Sequence, residues 1–330
     1  MQTEAGNESP IVGHRTVTEA AVHGFACLTG DYARMHLDHE FGRTTPMGVT
    51  IAHGLLNACW ALGALTRHAE ERLRLRDPNA WMAGFSVRFS RVVALGDTLA
   101  VRWLPSAEHA IEGGEGGART LTSTAFEVPN QRGEITSRGL VTIARGAVEA
   151  GAAVDASERP ELFDVDAWSQ PAAPEIFYAE DLLESGPRCE SPGRTVTEGD
   201  VVAFARETSE LNPRMLDAIF ARATPFGERM ASPMLVFCLS FSEFLRTLLD
   251  LPMPSSGFAG HLGDSWRFFQ PVRMGDTIRT RHRAVSVSPS RSRPGQAIVR
   301  FGLQVLNQRD ELVQDGEVAM MIPSRPSGRG

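Results

Sequence analysis

Cysteine is scarce: four in 330 residues, none in a C-x-x-C pair. A disulfide framework and a cysteine-ligated zinc site are therefore not expected, and a reducing cytoplasmic setting fits the pattern. Cys27, Cys59 and Cys238 fall in apolar helical stretches, where a free thiol behaves as a small hydrophobe. Positive charge is also short, with 33 Lys and Arg against 40 Asp and Glu and a net charge of −7. A surface built to grip nucleic acid would be basic, so that class is set aside. No apolar run approaches the roughly 20 residues of a membrane-spanning helix, and no charged-then-apolar leader opens the chain. No membrane partner is expected.

What the chain has is a repeat. Thr16-Val-Thr-Glu19 recurs as Thr195-Val-Thr-Glu198, an offset of 195 − 16 = 179. The same offset carries Phe25-Ala26 onto Phe204-Ala205, Arg88-Phe89 onto Arg267-Phe268, and Gly96-Asp97-Thr98 onto Gly275-Asp276-Thr277. Matches in register over so long a span mark a tandem duplication. The halves are read as residues 1–145 and 188–330, the latter ending in a loose tail. Between them, 146–187 forms a linker that starts small and polar and then carries Phe163, Trp168, Phe177 and Tyr178. Exposed aromatics at that density would be unusual, so its later part should lie against the protein.

Each copy reads alike. Thr16 to Leu28 has a capped start and a helical apolar period. Residues 30–50 read as an irregular loop. Ile51 to about Leu75 is a long helix, apolar first and amphipathic later. Strand candidates follow at Trp81–Phe89, Asp97–Leu104, Thr120–Val128 and Glu134–Ala144. One long helix followed by an antiparallel meander is an α+β pattern. Gly113 to Gly117 precedes no helix, so it reads as a hairpin loop rather than a phosphate cradle. Ser286 to Pro294 reads as the matching loop.

The chemistry-bearing residues gather between Phe25 and Leu56. Asp31 and His36 stand five residues apart, just after the Thr29-Gly30 break. A neutral imidazole takes a proton and a nearby carboxylate orients or relays it, so the pair can act on a shared water. His53-Gly54 opens the apolar helix. The first N–H groups of a helix lack carbonyl partners, and glycine lets a ligand approach, so a polarised carbonyl oxygen would be stabilised there. Singly, Asp31 reads as a turn or capping residue and each His as an ordinary core or surface residue. His14, His23, His39, His68 and His109 show no partner pattern and are placed on the surface. His261, Arg88 and Arg267 are given structural roles, and Arg34 and Arg43 are candidates for binding a carboxylate.

Gly30-Asp31 with His36, Thr44-Thr45 and Ile51-Ala52-His53-Gly54 resemble the MaoC-like dehydratases, or (R)-specific enoyl-CoA hydratases. Their usual signature is G-D-x-N-P-x-H, followed by an A-H-G or V-H-G helix start. Ala33 and Arg34 replace the family's Asn-Pro, so the loop is expected to be shaped differently and to go without whatever the Asn side chain holds. The resemblance implies a tandem (double) hotdog, a long central helix wrapped by antiparallel sheet in each half. It also implies a hydro-lyase that adds or removes water across the α,β-bond of an acyl thioester, between (R)-3-hydroxyacyl and trans-2-enoyl forms. Asp31 and His36 would be catalytic, and Gly54, His53 and Thr45 would bind the substrate and its oxyanion. No metal or cofactor is implied; the CoA or carrier-protein pantetheine arm is part of the substrate. The partner is thus an acyl-CoA or an acyl carrier protein, and the halves form a pseudo-dimer that leaves room for a further homodimer. Alternatives are a dehydratase dedicated to a biosynthetic or dicarboxylic acyl thioester, a hotdog thioesterase, and a non-catalytic thioester-binding protein.

The second copy departs at every chemical position. Asp31 maps to Glu210, His36 to Met215, His53 to Ser232 and Gly54 to Pro233. Methionine takes no proton and proline has no N–H, so one site in the first half is expected.

Overall fold

The computed structural model describes residues 11–68, 76–111, 119–146, 160–165, 175–184, 186–254 and 260–326. The polar start, the continuation of the first long helix past His68, the Gly113–Gly117 loop, most of the 146–187 segment and the last four residues lie outside the described residues.

In the first half, β1 (Ile11–Thr16) leads to α1 (Glu19–Thr29). Thr18 caps α1 by accepting from the Ala21 N–H, and Gly30, at φ 91°, ends it in the left-handed conformation glycine tolerates. The stretch expected to be irregular holds two short helices, α2 (Arg34–Leu37) and α3 (His39–Thr44). Asp38 makes both possible: it closes α2 and caps α3, its carboxylate accepting from the Phe41 N–H at 2.9 Å. Then come α4 (Gly54–His68), β2 (Trp81–Phe89), β3 (Thr98–Ile111), β4 (Arg119–Pro129) and β5 (Ile135–Gly146). Leu55 to Thr66 are buried without a break, so α4 is wrapped on all sides. Each Leu buried there contributes about 1.5–3 kcal/mol. A Cβ on Gly63 would come within 2.0 Å of the Thr208 carbonyl oxygen, so this turn of α4 lies directly on the second half's backbone.

The second half begins with α5 (Ala179–Glu184), β6 (Cys189–Glu190) and β7 (Arg194–Thr195). It continues with α6 (Glu198–Thr208), α7 (Pro213–Leu216), α8 (Ala218–Arg222) and α9 (Pro233–Leu249). Strands β8 (Gly260–Phe268), β9 (Thr277–Pro289), β10 (Gln296–Leu306) and β11 (Leu312–Pro323) complete it. Strand β9 takes up part of the stretch read as a loop from Ser286. The segment joining the halves packs on the second one: Phe177 is buried, and the Phe163 N–H donates to Gln304 at 2.7 Å.

One antiparallel sheet of order β1-β3-β4-β5-β2-β8-β11-β10-β9-β6 spans both halves, with β7 pairing β9. Its centre is the β2–β8 pair, where Ser86 faces Ser265, and 265 − 86 is again 179. The repeat is therefore a pseudo-twofold in space. Cys59 and Cys238 (238 − 59 = 179) meet on the same axis, Sγ to Sγ 3.6 Å, where α4 and α9 pass each other. Arg15 donates to the Glu207 carbonyl and its counterpart Arg194 to the Leu28 carbonyl, at 2.7 and 2.9 Å. Such an exchange of equivalent contacts is the signature of an isologous interface, here inside one chain. Cys27, read as part of an apolar stretch, is exposed on α1, while Cys59 and Cys238 are buried.

Candidate active site

A turn, a short helix and a helix start bring Asp31, His36 and His53 together. Their potential ligand atoms all lie within 4.8 Å of one another, and all three side chains are buried. Asp31 follows the Gly30 break. Its N–H donates to Thr29 Oγ1 at 3.3 Å, and its Oδ1 accepts from the Ala33 N–H at 3.2 Å. The second bond ties the Asp31 turn to Ala33, and α2 itself starts without a side-chain cap. In the second half, Asn212 Oδ1 accepts from the Arg214 N–H at 3.0 Å, as the family signature would have it. The backbone hardly notices the exchange: Ala33 has φ −56° and ψ 129°, Asn212 has −65° and 124°. The expected change of loop shape is not found; only the side-chain cap is gone.

His36 Nδ1 lies 2.8 Å from the Ile51 carbonyl oxygen. A carbonyl only accepts, so Nδ1 carries the proton and Nε2 keeps its lone pair. Burial lowers the pKa of His36, opposed by the nearby Asp31 carboxylate, so the free ring is a neutral base at neutral pH. His53 Nε2 donates to the Asp31 carbonyl oxygen at 3.0 Å and lies 3.9 Å from Asp31 Oδ2. Its ring rests on that of His36, centroids 3.9 Å apart and planes 33° apart. Burial, then the neighbouring His36, pushes its pKa down to about 3. His53 is thus a neutral brace that fixes the Asp31 turn against the start of α4. An Asp-His-His set has the chemistry of a metal centre. In this structure one nitrogen of each imidazole is engaged by a backbone carbonyl, which leaves His36 Nε2 and the Asp31 carboxylate as the groups free to act on a bound molecule.

Gly54 is the first residue of α4, where the N–H has no carbonyl one turn back. Any larger residue there needs Phe89 to shift. A Cβ would stand 2.9 Å from the Phe89 ring, so Phe89 occupies the space above the Cα. Thr45 is not brought to the cluster by any contact: its hydroxyl donates to the Gly42 carbonyl at 2.7 Å, closing α3. Arg34 is paired with Asp38 at 2.8 Å and Arg43 with Glu40, both on the surface, so neither guanidinium is committed to the cluster. The five histidines placed on the surface are exposed there. His261 is not among ordinary structural residues. It touches Phe89, ring centroids 4.9 Å apart, and stands close enough for a charge on it to lower the pKa of His36. The offset of 179 could have flagged it, since it sets His261 against Met82.

At the second half's equivalent place the Ser232 hydroxyl donates to Glu210 Oε2 at 2.8 Å, and Met215 stands where His36 does. A cleft remains there, bordered by Trp81, Met82, Arg214, Met215, Ser232 and Pro233.

Comparison with known proteins gives the family and the fold. Residues 2–125 match the family model described as MaoC like domain, and residues 186–316 the one described as FAS1-like, dehydratase domain region. A 3-hydroxybutyryl-CoA dehydratase of Methylorubrum extorquens is 31% identical over 150 residues, 46% of this chain and 87% of that protein. The chain belongs to the MaoC-like dehydratase family. An (R)-specific enoyl-CoA hydratase of Rhodospirillum rubrum is 28% identical over 150 residues, 46% of this chain and 94% of its own. A Mycobacterium tuberculosis protein with a double hotdog fold superposes with a TM-score of 0.67 at 16% identity, covering 96% of this chain and 97% of that one. The tandem hotdog is therefore the fold of this family member. No helix among the described residues is long and apolar enough to cross a membrane.

Proposed function

We propose that this MaoC-like lyase hydrates trans-2-enoyl thioesters and dehydrates (R)-3-hydroxyacyl thioesters at a single site in its first half, with Asp31 and His36 as the acid–base pair. The carrying observation is the tautomer of His36: Nδ1 is spent on the Ile51 carbonyl, leaving a buried Nε2 lone pair beside Asp31. A water between carboxylate and imidazole meets both at hydrogen-bond distance. In hydration, His36 Nε2 takes a proton from that water as its oxygen adds to Cβ. The π electrons pass to the thioester oxygen, and the pair then returns a proton to Cα. In dehydration the same groups act in reverse, taking the α-proton and protonating the leaving hydroxyl. The Gly54 N–H stabilises the enolate charge on the thioester oxygen. In this reading His53 takes the part of a brace and Thr45 that of a residue closing α3.

The thioester arm, of CoA or of a carrier protein, belongs to the substrate. The family relatives above act on CoA thioesters by name, which favours CoA. The test is product analysis on trans-2-enoyl-CoAs. A 3-hydroxyacyl-CoA of R configuration supports the reading. Free CoA thiol as the sole product would make the protein a thioesterase instead, and binding without turnover across the panel would make it a thioester-binding protein.

A further inference from the structure

His261, partly buried, and Asp264, buried, are a polar pair on β8 that the mechanism leaves unused. His261 Nε2 lies 3.0 Å from Asp264 Oδ1 and 2.9 Å from Oδ2. The Asp264 side chain is 0% exposed and that of His261 14%. The ring is clamped between two aromatics: it stacks on Phe241 of α9, centroids 4.7 Å and planes 19° apart, and leans on Phe89, the ring that covers Gly54. Its Nε2 is committed to Asp264, and its Nδ1 has no partner among the described residues.

The pseudo-twofold shows where this ring points in the architecture. The offset of 179 sets Met82 against His261 (261 − 82) and Phe85 against Asp264 (264 − 85). Met82 borders the second half's cleft together with Met215, Ser232 and Pro233, the counterparts of His36, His53 and Gly54. By the same symmetry His261 holds, on the strand side of the Asp31-His36-His53 cluster, the place that Met82 holds beside the second half's cleft, and it lies near enough to His36 to act on its charge. Polarity has changed walls between the copies. The second half's cleft has Asn212 and Arg214 on its loop side and Met82 on its strand side. Their first-half counterparts are Ala33 and Met35 on the loop side and His261 on the strand side. Burying a carboxylate costs several kcal/mol unless it is paired, so an apolar wall would have been the cheaper choice, as it is in the second half. A polar wall has been placed in the one cleft that carries an acid–base pair.

We propose that His261, held by Asp264, is a specificity-determining residue given to the site by the second half, receiving an oxygen-bearing substituent on the acyl group. This rests on the hydro-lyase reading above. Asp31 and His36 account there for the reacting carbons and Gly54 for the thioester oxygen, so the remaining polar group meets another substrate atom. The preferred substrate is then an enoyl thioester with a hydroxyl, keto or carboxylate group beyond Cβ rather than a plain alkyl chain.

The test compares crotonyl-CoA with 4-hydroxycrotonyl-CoA and fumaryl-CoA, which add oxygen to the same four-carbon frame. Wild type is expected to favour at least one oxygenated probe by about tenfold or more in kcat/KM, the worth of roughly one well-placed hydrogen bond. His261→Met, which installs the second half's residue, is expected to abolish that preference, so that the oxygenated probes lose more kcat/KM than crotonyl-CoA does. His261→Gln, which can still hydrogen-bond, is expected to keep part of it. If His261→Met does not fold, Asp264→Asn, which keeps the shape but frees the ring, is expected to narrow the preference. Equal loss on all three probes in these variants, or a wild type that prefers crotonyl-CoA, overturns the proposal. Binding separates it from the hydratase reading. Calorimetry with the saturated probes butyryl-CoA, 4-hydroxybutyryl-CoA and succinyl-CoA needs no turnover. A binding preference for an oxygenated probe that His261→Met removes, with no hydration of any enoyl-CoA, sinks the hydratase reading alone. Equal binding of all three by wild type sinks this one.

Discussion

The two halves put different side chains on one backbone. Both have a helix of 11 residues, a left-handed residue just past its end, a four-residue helix and then the long buried helix. On that common frame, Asp31, His36, His53 and Gly54 face Glu210, Met215, Ser232 and Pro233. The first half holds a carboxylate, a neutral imidazole with a free lone pair and a helix-start N–H. The second holds a carboxyl whose pKa burial has raised to about 7, a thioether, a hydroxyl and a ring without N–H. What separates them is proton chemistry and not packing, since Met215 and Glu210 are as buried as His36 and Asp31. A duplicated hotdog can thus exchange its proton-transfer groups without losing its shape.

The sharpest way to break the comparison is to make the first half resemble the second. His36→Ala and Asp31→Asn are each expected to lower kcat by about 10²-fold or more, with unchanged thermal unfolding of the fold at large. Steady-state hydration rates and a melting curve check it. Near wild-type turnover in either variant would remove that residue from the acid–base pair.

Next in size is the oxyanion contact. Gly54→Pro deletes the N–H at a helix position where proline is tolerated, and Pro233 already opens α9 at the equivalent place. Gly54→Ala is the control. Both substitutions push a Cβ toward the Phe89 ring, so the crowding is shared and the difference between them isolates the N–H. The proline variant is expected to fall below the alanine variant by about 10²–10³ in kcat, roughly 3–4 kcal/mol, with a smaller change in KM. Equal kcat in the two would place the thioester oxygen elsewhere.

His53 is the brace that the second half lacks. His53→Ala opens a cavity at the start of α4 and leaves the Asp31 carbonyl without its donor, a cost on the order of 2–4 kcal/mol in chemical denaturation. The wild-type brace has its own pH signature. His53 is neutral in the fold down to about 3, while an unfolded histidine titrates near 6.5. Its contribution is fully present above 6.5 and is lost as the pH falls toward 3, because the unfolded chain takes up a proton that the fold refuses. Stability of the wild type is expected to drop through that window, and less steeply in His53→Ala. Equal slopes would mean the ring is not buried as a neutral base.

The repeat, the two long helices, the meander strands and the Asp31-His36-His53 cluster are legible in the sequence because each is a local pattern. Periodicity shows which face is buried, and a repeat in register needs no structure to be seen. The short helices α2 and α3 are hidden because four to six residues are too few for a period, and their decisive signal is the double duty of Asp38. Ala33-Arg34 suggests a reshaped loop, yet the backbone keeps the angles of Asn212 and gives up only the side-chain cap. The bracing role of His53 is invisible in the sequence for want of distance: its bond to the Asp31 carbonyl joins residues 22 positions apart. Phe89 over Gly54 and His261 against Phe89 are contacts between elements far apart in sequence, and only the pseudo-twofold hints at them.

The smallest expected effects lie in the second half. Glu210→Gln and Met215→Leu should leave kcat within a few-fold, because neither side chain there has a proton-transfer partner. Glu210→Gln should nevertheless change stability, and only on one side of the pH scale. The folded carboxyl titrates at about 7 against an ordinary value of 4.5, because burial disfavours its charge more than the Ser232 hydroxyl relieves it. Its contribution is fully present below 4.5 and is lost as the pH rises through 7, since the unfolded chain releases a proton that the fold retains. Glutamine keeps the size and can still accept from Ser232 without ever ionising. The variant should therefore match the wild type near pH 4 and gain on it by up to a few kcal/mol by pH 8, read from denaturant midpoints at a series of pH values. The acid-side loss at His53 is common to both proteins and cancels in the difference. A constant gap across the series would show that Glu210 is ionised in the fold, and with it that the second half holds a buried negative charge at the place of Asp31.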